Sequence, residues 1–307
     1  MKIILTGATG LIGSRFEKLM LERHEIVPLS ISSGVDITDP SSVDDFIYGN
    51  KADAIIHLAG LTDVDGCEED KKEDLKNLGV NESNVVNLDV TNIKSEDWIG
   101  RKTAFAVNTI GTKNLYNSAQ KNGIKFVYIS TDFVFEGKGE YYEDSGPNPI
   151  NWYGMTKYLG EKAIDATHDL IVRLAFPYGY RSNLKKDFVW KLHDLLQNNR
   201  EVSLLSDQII TPSFIDDIIN GLIYLLEMKE RGIYHLTGSQ SLTPKEIGQK
   251  ICKTFGYSTI INDIQLSVLY KGKAPRPFQS IMRNDKIVNL GFVPKTFDQG
   301  LALLKNI

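Results

Sequence analysis

The chain opens on MKIILTGATGLIGSRF: an apolar run, three glycines at a spacing of three, then apolar positions at helical spacing. Few folds accept that order. Lys2 to Thr6 reads as a strand buried on both faces, and Ser14 to Arg23 as a helix. Gly7, Gly10 and Gly13 lie between them in G-x-x-G-x-x-G spacing. Gly7 permits the tight turn, Gly10 lets the backbone approach a pyrophosphate, and Gly13 lets helix and sheet pack closely. The helix N-terminus offers unpaired N–H donors to phosphate oxygens. A glycine-rich turn without a ligand is the alternative, and the strand–turn–helix context weighs against it.

The alternation continues. Glu25 to Leu29, Ala54 to Leu58, Phe126 to Ile129 and Leu170 to Leu174 read as short strands. Ser42 to Gly49, Phe105 to Asn122 and Tyr153 to Asp169 read as helices, the last preceded by GPNPIN, a loop whose Asn151 suits a helix start. This βαβ repetition predicts an α/β, Rossmann-type doubly wound parallel sheet. After Pro177 the rhythm changes. Phe188 to Asn198 and Ile215 to Met228 read as helices, Val202 to Leu205 as a strand, and Gly232 to Leu236 as a strand returning to the main sheet. Thr243, Pro244 and Glu246 form a capping box, KAPRPF is loop, and Thr296 to Lys305 reads as a closing helix.

The expected organisation is a dinucleotide-binding domain over residues 1–177, which also receives about 206–240. A smaller, interleaved C-terminal substrate lobe takes 178–205 and 241–307. Between Cys67 and Gly100 the pattern breaks into a stretch rich in charge and Asn. A flap, a partner surface and a small β-hairpin all remain open for it.

Composition narrows the function. Among 307 residues, 35 Lys and Arg stand against 39 Asp and Glu, so no basic excess supports nucleic-acid binding. Cys67 and Cys252 are the only cysteines, too few and too far apart for a disulfide scaffold or a metal cluster. No apolar run approaches the length of a membrane span, and MKIILTG leaves no room for a secretory leader. A cytoplasmic protein is the expectation. His24, His57, His168, His193 and His235 are scattered and read as structural. No Ser/His/Asp or metal-ligand set competes with the residues between Ser130 and Lys157.

STDFVFEGKGEYYEDSGPNPINWYGMTK, Ser130 to Lys157, places a hydroxyl pair after an apolar strand and then a Tyr-x-x-x-Lys pair. Tyr153 and Lys157 share one helix face. A free tyrosine titrates near pH 10, and an ammonium one turn away is expected to favour the phenolate. Tyr153 then exchanges a proton with a carbonyl or alcohol oxygen while a nicotinamide cofactor exchanges hydride, and Lys157 can hold the cofactor's ribose. Thr131 is placed to hold the carbonyl oxygen, with Ser130 beside it. Alone, Tyr-x-x-x-Lys is common by chance; behind the glycine turn and the hydroxyl pair it points to an enzyme.

For the cofactor, an acid ending the second strand would favour NAD, and VPLSIS offers none. Small hydroxyls there, with Arg15 as a phosphate contact or a solvated helix residue, tilt the choice between NADH and NADPH toward NADPH. Asp36 and Ile37 sit where the chain can fold over adenine, Asp36 accepting from its amino group; an ordinary turn aspartate is the alternative. Leu58, Ala59 and Gly60 close the third strand with little bulk, which suits backbone passing near the cofactor.

These residues resemble the extended short-chain dehydrogenase/reductase family, and within it the dTDP-4-dehydrorhamnose reductases. TGATGLIG, HLAGLTDVDGCE, VNTIGTKNL, STDFVFEGKG, NWYGMTKYLGE, VRLAFPYG, SDQIITPSFIDDI, GIYHLTG and PRPFQS carry the resemblance along nearly the whole chain. It implies NAD(P)H-dependent reduction of the 4-keto group of a nucleotide-diphosphate-linked 6-deoxysugar, with Thr131, Tyr153 and Lys157 catalytic. Gly7, Gly10, Leu11 and Ile12 would meet the pyrophosphate, Asp36 and Ile37 the adenine, and Ala59, Gly60 and Thr62 the cofactor's middle. Ser130, Asp132, Phe133, Phe176, Asp207, Gln208, Thr211 and Arg276 would line the substrate side, Arg276 suiting diphosphate oxygens.

The chain departs from the reductases in places. DKAE becomes DGCE, a tyrosine becomes Phe133, a tryptophan becomes Phe176, and the stretch before Arg101 has no usual counterpart. The Asp-Glu that dehydratase relatives carry is Asp132-Phe133 here, which argues against dehydration. Two alternatives remain. One is a nucleotide-sugar epimerase or dehydrogenase; the other is a regulatory subunit resembling the methionine adenosyltransferase beta subunit. A homodimer, and Mg²⁺ held by carboxylates at its contact, are compatible with the sequence, which shows no metal-ligand motif of its own.

Overall fold

The computed structural model describes residues 1–181 and 186–305. Residues 182–185, 306 and 307, parts of the expected substrate lobe, lie outside the described residues. In chain order, β1 (Lys2–Thr6), α1 (Leu11–Met20), β2 (Glu25–Leu29), α2 (Pro40–Asn50) and β3 (Ala54–His57) come first. Next are α3 (Val64–Leu78), the short α4 (Glu82–Val85) and a π-helical turn, Ala106–Gly111, that runs into α5 (Thr112–Lys121). They are followed by β4 (Lys125–Thr131), β5 (Lys138–Tyr141), α6 (Trp152–Lys162), β6 (Leu170–Leu174) and β7 (Pro177–Tyr178). Then come α7 (Phe188–Asn198), β8 (Glu201–Leu205), β9 (Ser213–Phe214), α8 (Ile215–Glu227) and β10 (Gly232–His235). The chain closes with α9 (Pro244–Phe255), β11 (Ile260–Ile264), α10 (Leu266–Leu269), β12 (Gln279–Met282), α11 (Asp285–Asn289) and α12 (Phe297–Leu304).

Two compact units result. The first comprises Met1–Val134, Pro149–Val172 and Glu230–Ile233; the second comprises Phe135–Asn148, Arg173–Lys229 and Tyr234–Ile307. The first is built on a six-stranded sheet of order β10-β6-β4-β3-β1-β2. Parallel registers such as Ile3↔Ile26, Ile4↔Ile55 and Ile55↔Phe126 pair its first four strands in sequence. The order steps outward from β1 in both directions, so the gap between β1 and β3 is a switch point, where doubly wound sheets place ligands. Ile3, Ile4, Leu5, Ile55 and Ile56 are fully buried. Each such side chain contributes roughly 1.5–3 kcal/mol through burial, which explains why these strands read as unbroken apolar runs.

Three expectations need correction. The stretch after Cys67 is no hairpin: α3 spans Val64–Leu78, and α4 and 3₁₀ turns at Val90–Asn92 and Ser95–Trp98 follow. The helix expected to reach Asp169 stops at Lys162, because Asp165 Oδ1 accepts both the N–H and the hydroxyl of Thr167 in a turn that competes with helix. The units also divide differently from the expected domains. Residues 135–148, 173–177, 206–229 and 234–240 belong to the second unit. There β5 pairs with β12, β7 pairs with β9, and Gly221 of α8 lies against Leu236 and Phe292. The second unit has its own apolar core, including Tyr178, Trp190, Phe214, Ile247 and Phe297.

Candidate active site

β1 delivers the chain to a turn that only glycine fits. Gly7 has φ +69°, and a Cβ there would stand 2.8 Å from Ala59 N. A Cβ on Gly13 would meet Gly7 O at 2.2 Å, so helix and turn approach too closely for a side chain. α1 then starts at Leu11 and Ile12 with Gly10 as N-cap, no side-chain cap and no acid in its first turn. α2, α6, α7, α9 and α12 are capped by Asp39, Asn151, Asp187, Thr243 and Thr296, whereas α3 and α8, uncapped like α1, carry acids in their first turns. An uncapped N-terminus beside a bare turn fits a dinucleotide's pyrophosphate. Gly10's own N–H is spent on Gly7 O (2.9 Å), leaving the first-turn amides beyond it as the donors.

The second strand ends in hydroxyls, not in an acid. Ser30 N–H donates to Ser33 Oγ (2.8 Å), Ser33 Oγ donates to Ser30 O (2.7 Å), and the Ser30 and Ser32 hydroxyls pair at 2.7 Å. Beyond it, Asp36 Oδ1 accepts the N–H (2.9 Å) and hydroxyl (2.8 Å) of Thr38, the local turn that sequence allowed as the alternative role. Ile37 lies against Gly111, where a Cβ would come within 2.6 Å of its Cδ1. Asn114 Nδ2 secures this loop through Ile37 O (3.0 Å) and Thr38 O (3.1 Å). Leu58, Ala59 and Gly60 leave β3 beside Gly7, and Thr62 follows exposed.

β4 and α6 bring the reactive groups together. Ser130, Thr131, Asp132, Tyr153 and Lys157 are all buried. Thr131 Oγ1 donates to Asp132 Oδ1 (3.2 Å) and accepts Phe133 N–H (3.3 Å), and its hydroxyl acts on the Tyr153 phenol to favour the phenolate. Ser130 Oγ is buried with no hydrogen-bond partner among the described residues. Phe133 meets the Tyr153 ring edge-on at 5.4 Å. Lys157 Nζ donates to Ile129 O at 2.7 Å and lies 4.2 Å from the centroid of the Tyr128 ring.

α6 reaches this place because of features that sequence reasoning passed over. A Cβ on Gly154 would meet Phe133 O at 2.0 Å, and one on Gly160 would meet Tyr128 Oη at 2.5 Å. Both glycines weaken a helix interior by about 1 kcal/mol relative to alanine, a cost offset here by close approach to β4. α3 anchors the start of α6: Glu68 Oε2 accepts Trp152 N–H (2.7 Å) and Asp74 Oδ2 accepts Trp152 Nε1–H (2.8 Å). Asp70 and Asp74 accept the N–H groups of Ala104 (2.8 Å) and Phe105 (3.0 Å), where the next helical segment begins. Carboxylates at helix N-termini are favourable to both hydrogen bonding and dipole.

Asn108 is the polar residue missed. It sits in the π-helical turn, accepts Leu61 N–H at Oδ1 (2.8 Å), and donates from Nδ2 to Leu61 O (3.0 Å) and Thr156 Oγ1 (3.1 Å). A Cβ on Gly60 would lie 2.9 Å from Asn108 Oδ1 and 3.8 Å from Lys157 Nζ. Asn108 thus ties the end of β3 to α6 in an irregular turn of the kind that recurs at functional sites. VNTIGT was the available signal.

Burial dominates the titration of the site. It pushes the Tyr153 phenol well above its usual range, against the Thr131 hydrogen bond that favours the phenolate, with Asp132 adding to the rise. The expected lysine-driven depression of Tyr153 is therefore not what the protein holds. Lys157 is itself pushed down to about 7 by burial, which the carboxylate of Glu161 opposes. Its ammonium is aimed at Ile129 O and is only partly charged near neutrality. His57, joined to Thr6 Oγ1 (2.7 Å) and Thr112 Oγ1 (3.0 Å), is held neutral first by burial and then by Lys157.

The second unit carries the remaining expected substrate residues. Phe176 has φ +41°, a strained value for a side-chain-bearing residue, and packs edge-on to Phe188 at 5.7 Å. Gln208 and Thr211 are buried and tie their loop to its neighbours. Gln208 Nε2 donates to Pro277 O (2.9 Å); Thr211 Oγ1 contacts Ser241 Oγ (2.9 Å) and Ser280 O (3.2 Å) and accepts Met282 N–H (3.1 Å). Asp207 accepts Leu266 N–H through both oxygens, at 2.9 and 3.2 Å. Asp207, Tyr270, Arg276 and Phe278 line a cavity of about 360 Å³. Arg276 there donates to Ala274 O (2.8 Å) and lies 4.9 Å from the Tyr270 ring centroid. Among the described residues, no helix is long and apolar enough to cross a membrane.

The family model described as RmlD substrate binding domain matches residues 1–91 and 90–306. The chain belongs to that family. Its relatives include the probable low-salt glycan biosynthesis reductase Agl14 of Haloferax volcanii, 29% identical over 99% of this chain and 97% of that protein. The crystal structure of dTDP-4-dehydrorhamnose reductase from Bacillus anthracis in complex with NADP is 29% identical, with a TM-score of 0.81 over 99% of this chain and 98% of that one. Methionine adenosyltransferase 2 subunit beta of Xenopus laevis is 26% identical over 96% of this chain and 84% of that protein. Relatives of this chain thus carry both reductase and subunit names.

Proposed function

We propose that this chain is an NAD(P)H-dependent reductase of the 4-keto group of a nucleotide-diphosphate-linked 6-deoxysugar, as in dTDP-4-dehydrorhamnose reductases. The observation that carries this reading is the burial of Thr131, at the end of β4, together with Tyr153 and Lys157 on one helix. The glycine turn, the amides of Leu11 and Ile12, Asp36, Ile37 and the strip from Leu58 to Thr62 are the residues to hold the cofactor. When bound, that cofactor supplies hydride to the carbonyl carbon. Thr131 holds the carbonyl oxygen, and Tyr153 delivers the proton that the oxygen takes up. A phenol kept protonated by burial is in the right form to donate. The serine turn after β2 offers hydroxyl donors and no carboxylate to repel a 2′-phosphate, which favours NADPH over NADH.

The Xenopus laevis relative supports a second reading, a regulatory subunit that retains the fold. Purified protein incubated with NADPH or NADH and a dTDP-4-keto-6-deoxyhexose separates the two. The expected result is loss of reduced-cofactor absorbance and a reduced sugar, with turnover falling at least 10³-fold in Tyr153→Phe while cofactor binding persists. Cofactor binding without turnover, together with tight association with a larger synthetase, would favour the regulatory reading.

A further inference from the structure

Residues 79–100 touch three places that serve the proposed reaction, all within the first unit. Lys162, on α6 with Tyr153 and Lys157, donates Nζ to Val86 O (3.0 Å) and Leu88 O (2.8 Å). Lys113, buried on α5, donates to Thr91 O (3.0 Å) and Ile93 O. Gly100 N–H donates to Thr38 Oγ1 at 2.9 Å, and that hydroxyl is the one that grips Asp36. Val85, Val90 and Trp98 share an apolar cluster with Trp152, Tyr153 and Leu159.

An irregular segment must find partners for its backbone carbonyls outside itself. Here four of those carbonyls, two on each side of Asp89, are held by ammonium groups projecting from two helices. α4 spans only Glu82–Val85 and the rest is 3₁₀ turn and coil, so the segment has no ladder of its own to set its shape. Lys113 also neighbours Asn114, which holds the carbonyls of Ile37 and Thr38.

We propose that residues 79–100 form a clasp that fixes the catalytic helix α6 and the adenine-side loop 36–38 against each other. Lys162 is its positioning residue toward Tyr153, and Lys113 its positioning residue toward the cofactor loop. The assignment rests on the reductase reading.

Lys162→Met keeps the stem and removes the donors, and Lys162→Arg restores them. The Met variant is expected to lose at least tenfold in kcat, with NADPH Kd within twofold of wild type and the Arg variant recovering to within threefold. Lys113→Met is expected to do the reverse, raising NADPH Kd about tenfold with kcat at saturating cofactor within threefold. Hydrogen exchange on the cofactor-free protein gives a readout independent of activity. Lys162→Met should loosen residues 82–89 and the first turn of α6, and Lys113→Met should loosen 90–100 and 36–39. Folded variants with lowered thermal midpoints but unchanged kcat, Kd and exchange at α6 and 36–39 would overturn the clasp. A wild type that binds NADPH but turns over no sugar would sink the reductase reading alone, and the Kd and exchange results would still decide the clasp.

Discussion

The resemblance assigns site roles both to the hydroxyl of Thr131 in the first unit and to that of Thr211 in the second, yet the protein uses them differently. Thr211 is saturated, contacting Ser241 and Ser280 O and accepting Met282 N–H. Thr131 makes only two longer bonds, donating to Asp132 Oδ1 at 3.2 Å and accepting Phe133 N–H at 3.3 Å, and Ser130 beside it has no partner among the described residues. A buried polar group left short of partners costs about 1–3 kcal/mol. The first unit therefore keeps an unspent hydroxyl, that of Ser130, where a substrate oxygen is expected. The second spends its capacity on holding loops in shape. A motif match locates a residue without saying which of these two it is.

The sharpest way to break this contrast is at Thr131. Thr131→Val keeps the shape and removes the hydroxyl, and kcat should fall about 10²–10³-fold, the loss typical of a donor to a developing oxyanion. The thermal midpoint should move little, since the hydroxyl's own bonds are long. A loss below tenfold in kcat would remove Thr131 from the catalytic set.

Gln208 gives the opposite test with a smaller effect. Gln208→Leu leaves Pro277 O buried without its donor and should cost about 1–3 kcal/mol of stability. Urea unfolding measures that cost, and kcat/KM of the folded variant should stay within threefold of wild type. A tenfold rise in KM at unchanged stability would show Gln208 facing substrate after all. Arg276 and Asp207, which line the 360 Å³ cavity, would then no longer be the better substrate candidates of that region.

Legibility in the sequence divides along the same line. Strands buried on both faces announce themselves as apolar runs, so β1, β3, β4 and β6 were legible within a few residues, and the edge strand β2, buried only at Leu29, followed from its place in the alternation. The catalytic three were legible because their spacing along one strand end and one helix is local. α3 was not. Its sequence VDGCEEDKKEDLKNL buries only Cys67 and Asp74, so almost no apolar stripe exists to read. It is held instead by Glu68, Asp70 and Asp74 at the starts of other helical segments, contacts 30 or more residues away. β5 and β12 were missed for a related reason: they form a two-stranded sheet from opposite halves of the chain. Gly154 and Gly160 did leave a signal, because two glycines in a helix interior call for a packing reason.

The smallest predicted effect compares one buried base from each unit through pH. Burial lowers Lys157 from 10.5 to about 7, and His235, beside Arg173, from 6.5 to about 3. In each case the unfolded chain binds a proton that the folded chain does not, so stability rises with pH between the two values. His235 contributes over about pH 3 to 6.5, and Lys157 over about pH 7 to 10.5. Each adds at most about 1.4 kcal/mol per pH unit within its window. Urea unfolding across pH should show both slopes in wild type. His235→Gln should flatten part of the acid arm, where His57 also contributes, and leave the alkaline arm unchanged. Lys157→Met should flatten part of the alkaline arm, where Lys113 and Lys125 also contribute, and gain most over wild type below pH 7, where the buried ammonium costs most. An alkaline slope that Lys157→Met leaves undiminished would mean that the lysine is charged at neutral pH. Its bond to Ile129 O and its place over the Tyr128 ring would then outweigh burial, and an ammonium able to favour the Tyr153 phenolate would be restored to the site.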